Sequence, residues 1–226
     1  MLPIIMVGGG KGGTGKSMVS ISLIDYYLQA EQDCFLIETD TSNPDVFKCY
    51  GDIIPAIMLD LDKPRGWTDL GDLCGENADK VIIINGAARS NIATTKYANN
   101  LAVAAEGLKR SLVTFWVINS QRDSIELLKE YFDAVQGGVI HVVKNGMFGD
   151  EDDFTTYNSS SIRRTIEKTG KSLMLDVLAD RVSERLYNER KTIEEAIAEM
   201  PWGSKAELMR WRNKCKQMFD EVLAHE

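Results

Sequence analysis

A chain of 226 residues with 26 basic and 34 acidic side chains, net −8 and an isoelectric point near 5.0, is long enough to bury a substantial core as one domain over 1–226. Its 44% hydrophobic and 27% charged content is that of a soluble globule, and the acidic balance excludes a protein that coats nucleic acid with its whole surface. Four dispersed cysteines (Cys34, Cys49, Cys74, Cys215), with only His141 and His225, exclude a disulfide framework or zinc centre and suit a reducing, cytoplasmic compartment.

Residues 1–7 are apolar but lack the basic start of a targeting segment, and they run directly into glycines. They read as a buried first strand over 4–7. No stretch approaches the roughly 20 apolar residues of a membrane helix. Gly10, Lys11, Gly12, Gly13, Thr14, Gly15, Lys16 and Ser17 then complete the pattern G-x-x-x-x-G-K-[ST], ahead of a helical run over 16–29. The glycines let successive backbone N–H groups turn towards phosphate oxygens, and the helix N-terminus adds its dipole. In such a cradle Lys16 reaches the β- and γ-phosphates and the Ser17 hydroxyl ligates Mg2+, so ATP and Mg2+ are the expected ligands. The cradle itself does not need Lys11.

An apolar strand over 34–38 delivers Glu38 and Asp40 at its C-terminal end, where open α/β sheets bind ligands. Alternation sets both carboxylates on one side of an extended backbone, one for the metal shell and one for an attacking water. The plainer alternative is a polar strand end before the turn Ser42-Asn43-Pro44. A strand over 81–84 is followed by Asn85, whose amide can hydrogen-bond a metal-bound water but supplies no charge. Further strands over 112–118, 138–143 and 173–178 alternate with helices over 91–109, 124–135, 160–169, 192–200 and 205–223. That alternation indicates a mostly parallel sheet covered on both faces. Asn145 offers donor and acceptor groups suited to the adenine edge, while Asn145-Gly146 is equally a turn signal. No N-K-x-D guanine signature is present, which favours ATP over GTP.

In the last helix, Leu208, Trp211, Cys215, Met218, Phe219 and Val222 form an apolar stripe. Lys205, Arg210, Arg212, Lys214 and Lys216 are opposed between Gly203 and Phe219 only by Glu207. Three readings compete: a helix docked on the sheet with a solvated basic face, a contact with DNA phosphates, and a basic helix lying on anionic membrane. The acidic finish at Asp220, Glu221 and Glu226 ranks DNA above membrane.

The spacing K-G-G-x-G-K-S at 11–17 resembles the deviant Walker A signature of the ParA/MinD family of P-loop ATPases. The resemblance implies a three-layer α/β/α P-loop NTPase fold with a mostly parallel central sheet and a homodimer bridged by ATP, in which Lys11 crosses to the partner's nucleotide. It assigns Lys11, Lys16 and Asp40 to catalysis, with Glu38-Thr39-Asp40 resembling the family's D-x-D and Asp40 positioning the water. It places Ser17, Glu38, Asp40 and Asn85 around Mg2+ and Asn145 on adenine. Aligned on Gly86-Ala87, the family's Walker B aspartate falls at Ile84, which cannot hold a cation, so slow hydrolysis is expected. The E-T-D and I-N-G-A segments resemble the StbB/TraL-like proteins of conjugative plasmids. They imply plasmid positioning, partition or transfer, nucleoid association and a plasmid-encoded DNA-binding partner. The rivals are a MinD-like positioning ATPase at the membrane surface, a static nucleotide-binding regulatory module and a small metabolic P-loop enzyme. No cluster of substrate-binding arginines supports the last.

Overall fold

Four apolar runs without alternation, IIMVG, CFLIE, VIIIN and LVTFWVI, are buried along their whole length, as strands between two helical layers must be. A computed structural model describes residues 1–88 and 91–223. In it these runs form β1 (Ile4–Gly8), β2 (Cys34–Glu38), β4 (Val81–Asn85) and β5 (Leu112–Ile118), joined by β3 (Ala56–Met58), β6 (Val139–Asn145) and β7 (Ser172–Leu175). The seven strands lie in the order β3-β2-β4-β1-β5-β6-β7. Every pairing among the described residues is parallel.

Strand residues alternate between two cores. Ile5 and Val7 enter the core beneath α1 (Lys16–Gln29), α2 (Asp45–Tyr50), α8 (Asp180–Glu189), α9 (Ile193–Glu199) and α10 (Trp202–Leu223). Ile4 and Met6 enter the opposite core, beneath α3 (Pro64–Glu76), α4 (Asn91–Gly107), α5 (Arg122–Ala134), α6 (Thr155–Asn158) and α7 (Ser161–Ile166). The result is the three-layer α/β/α P-loop NTPase fold. Among the described residues no helix is long and apolar enough to cross a membrane.

Sequence patterning missed β3, α2, α3, α6 and α8. β3 is a three-residue edge strand that is half-exposed, so it carries no apolar run. α3 holds three glycines; its signal is Pro64 in the first turn with Trp67, Leu70 and Cys74 buried on one face. α8 buries only Val182 and Leu186.

Two polar ties fix the layers. Arg110, 4% exposed, uses all five of its N–H groups on backbone carbonyls: Nε on Leu2, Nη1 on Cys74 and Asn77, and Nη2 on Pro3 and Lys80. It seals the N-terminal edge of β1, β4 and β5. Arg212 of α10 grips Asp25 of α1 through Nε and Nη2, at 2.8 Å each. Because β1 lies in the middle of the sheet, its C-terminal end opens the loop to α1 at the centre of the opposite edge.

Candidate nucleotide-binding site

The loop from β1 to α1 turns through two left-handed glycines, Gly13 (φ +75°) and Gly15 (φ +101°). Gly15 caps the N-terminus of α1, and a Cβ there would stand 2.4 Å from the amide nitrogen of Asn145. That nitrogen donates to the Thr14 carbonyl at 2.9 Å, and the Asn145 oxygen accepts from Met147 N at 3.0 Å. Asn145 is thus both the turn residue its sequence suggested and a clamp on the loop. The Lys16 ammonium arches over the loop to donate to the Lys11 carbonyl at 2.8 Å. Burial pulls its pKa down to about 8, with Asp40 acting in the opposite direction.

A cleft of about 580 Å3 opens beside this loop. Gly12, Gly13, Gly15, Lys16, Ser17, Asp40 and Asn85 line it, together with Asn145, Met147, Val177 and Leu178. The size suits a nucleotide. Ser17 and Asp40 present a hydroxyl and a carboxylate to it, oxygen donors that fit a hard divalent cation such as Mg2+. Asp40 is shaped locally: its Oδ1 accepts from Ser42 N and Asn43 N at 3.2 and 3.0 Å.

Glu38 and Asn85 sit deeper. Glu38 is fully buried; its Oε1 accepts from Asp40 N at 3.0 Å and from Asn85 Nδ2 at 2.8 Å, and its Oε2 from Phe47 N at 3.4 Å. Burial raises the pKa of Glu38, opposed by these three N–H donors. Asn85 Oδ1 accepts from Ser20 Oγ at 2.8 Å. Ser20 lies one turn beyond Ser17 on α1, and sequence reading did not single it out.

Lys11 is held within its own chain. Its ammonium lies 2.5 Å from Asp123 Oδ2 and 3.4 Å from Gln121 Oε1, at the start of α5. Neither partner stood out in the sequence, where both look like ordinary surface residues.

Residues 5–212 match the CobQ/CobB/MinD/ParA nucleotide binding domain. The chain belongs to this family. It is 46% identical over 224 residues to Protein MobD of Acidithiobacillus ferrooxidans, covering 99% of this chain and 98% of that one. Its fold resembles the MinD cell division protein of Aquifex aeolicus, with a TM-score of 0.55 at 11% identity over 98% of each chain. It also resembles FtsY of Thermotoga maritima, with a TM-score of 0.54 at 15% identity over 76% of this chain and 61% of that one.

As a CobQ/CobB/MinD/ParA domain, the chain departs from its sequence-level alignment at three points. Strand register sets Val7, Asn85 and Glu38 side by side on the α1 face, and Met6, Ile84 and Ile37 on the other. Ile84 is therefore core on the far face, and the β4 side chain facing the phosphate loop is Asn85. Secondly, the Glu38 carboxylate does not line the cleft with Ser17, Asp40 and Asn85; it accepts from Asn85 and two backbone N–H groups. Thirdly, the basic residues of α10 form no single surface. Arg212 and Lys216 engage Asp25, Glu194 and Asp220 on the α1 and α9 side, with Lys205 over the Trp202 ring. Arg210 engages Asp176 and Glu207, and Lys214 lines a shallow cleft against Ser172 and Met174 of β7. The apolar stripe of α10, with Leu208, Trp211, Cys215, Met218 and Phe219, is buried against the sheet.

Proposed function

We propose that the protein is an ATP-binding switch of the ParA/MinD type, which binds ATP with Mg2+ at Gly10–Ser17 and dimerises around it. The supporting observation is the complete phosphate loop at the mouth of a nucleotide-sized cleft, with a buried lysine over it. Lys16 binds the β- and γ-phosphates, Ser17 and Asp40 hold the cation and its waters, and Mg2+ supplies charge neutralisation on the phosphates. Met147 and Val177 flank the base. With its amide committed to Thr14 and Met147, Asn145 shapes the base pocket more than it reads the base.

Lys11 leaves Asp123 to meet the phosphates of the partner's ATP, where it counters developing charge. That ion pair is exposed and screened by solvent, so it breaks easily in exchange for a triphosphate contact. The resemblance to StbB/TraL-like proteins supports a role in plasmid positioning, partition or conjugative transfer, with a plasmid-encoded DNA-binding protein as partner. The ion pairs of α10 disfavour that helix as the track for DNA phosphates.

The decisive experiment is the oligomeric state, by light scattering, with ADP and with a non-hydrolysable ATP analogue. A dimer only with the ATP analogue is expected. Lys16→Ala should lose nucleotide binding in calorimetry, while Lys11→Ala should keep binding and lose the dimer. An ATP-bound Lys11→Ala dimer of normal stability would rule out the trans role. The amide at Asn85 favours a second reading, a module that holds ATP and rarely turns it over. Steady-state phosphate release, with and without DNA, separates the two readings.

A further inference from the structure

The site contains a buried carboxylate that touches no cleft, beside an amide that does. Glu38 is fully buried on β2, and its Oε1 accepts the Asn85 Nδ2 proton at 2.8 Å. Asn85 lines the cleft with Lys16, Ser17 and Asp40, and its Oδ1 accepts from Ser20 at 2.8 Å. The parallel register makes Glu38 and Asn85 direct neighbours, so their contact is built into the sheet.

We infer that Glu38 is a positioning residue that supplies, through the Asn85 amide, the negative charge that β4 lacks beside the Mg2+ site. The inference rests on the ATP–Mg2+ reading given above. A carboxylate on the N–H side of an amide pushes electron density towards its carbonyl oxygen, and hydrogen bonds in series strengthen one another in a buried setting. Asn85 Oδ1 holds two lone pairs, of which Ser20 uses one. The polarised oxygen is thereby a stronger acceptor for a water of the cation's shell, and Mg2+ retains several such waters when bound. The amide is fixed at both ends, so little ordering remains to be done when the cation arrives. The negative charge thus sits on β2 and works through its β4 neighbour.

The test measures the dissociation constant of ADP by calorimetry, with Mg2+ and with a chelator, for wild type, Glu38→Gln and Glu38→Gln/Asn85→Asp. Glu38→Gln keeps the shape and an acceptor for Asn85 but removes the charge. Its affinity in chelator should match wild type, while the tightening by Mg2+ falls by roughly tenfold, as for other outer-shell partners of metals. The double exchange puts the carboxylate back on β4 and should restore the tightening. A purely structural role would shift melting temperature or both affinities together and leave their ratio unchanged. Wild-type tightening in Glu38→Gln, or its absence in a folded double variant, would overturn the relay. If Glu38→Gln does not fold, the double variant decides by the same ratio. A wild-type chain that binds no nucleotide overturns the ATP reading itself.

Discussion

The most consequential single side chain is Lys16, because burial holds its pKa near 8 instead of the usual lysine range. A triphosphate favours the ammonium, so binding is coupled to proton uptake wherever the free protein has lost that proton. The sign follows: affinity is full below about pH 8 and falls above it, by at most about tenfold per pH unit. Calorimetry in buffers of different ionisation enthalpy should show net proton uptake at pH 9 and little at pH 6.5. The motif residues were legible because their chemistry depends on type and spacing. The partners that hold them were not. Asp123, which retains Lys11, and Ser20, which anchors Asn85, come from distant segments and became visible only when the sheet brought them together. Alignment by the following Gly-Ala likewise pointed to Ile84, whereas the register of three strands turns Asn85 to the phosphate side.

At the scale of elements, the long apolar strands and α1, α5 and α10 could be read from periodicity. The half-exposed β3 and the polar α8 could not, because tertiary packing defines them more than their own pattern does. α10 shows how charge can mislead when counted along a helix. Its basic residues looked like a surface because sequence does not reveal that Asp25 lies opposite Arg212. The Asp25 carboxyl is buried, and burial raises its pKa, offset chiefly by Arg212. Arg212→Ala would strand that carboxylate and should cost about 3 kcal/mol near neutral pH. Without Arg212 the folded-state pKa of Asp25 climbs further. The deficit is therefore smallest at acid pH, where the group is protonated in both states, and widens as pH rises through that raised value. Urea unfolding at pH 5 and pH 8 measures the difference.

At the scale of the whole molecule, the two edges of the sheet do different work. The C-terminal edge carries the cleft; the N-terminal edge is closed by Arg110, whose guanidinium reaches carbonyls of Leu2, Pro3, Cys74, Asn77 and Lys80. Arg110→Met would remove five hydrogen bonds, leaving the Pro3 and Asn77 carbonyls only their backbone donors, and should cost about 3 kcal/mol, lowering the melting temperature by about 6–12 °C. Arg110→Lys should recover only part of this, since an ammonium is a point donor and cannot span five carbonyls. Neither change should alter nucleotide affinity in the folded protein, which is the control in the same melting experiment with added ADP.

The central place of β1 also has a consequence for how the chain is made. β1 is synthesised before either of its partner strands, yet it lies between β4 and β5, with Ile4 opposite Ile82 and Leu112. At about 5–20 residues per second, its first partner strand follows roughly 4–16 s later. Through that interval the apolar run Ile4–Val7 has no neighbour to pair with, and the glycine loop behind it has no fixed shape. The phosphate loop, though it precedes β4 and β5 in the chain, is thus fixed only after they are made. A nascent chain that ends before β4 should bind no nucleotide and should instead engage the chaperones that shield apolar segments during synthesis.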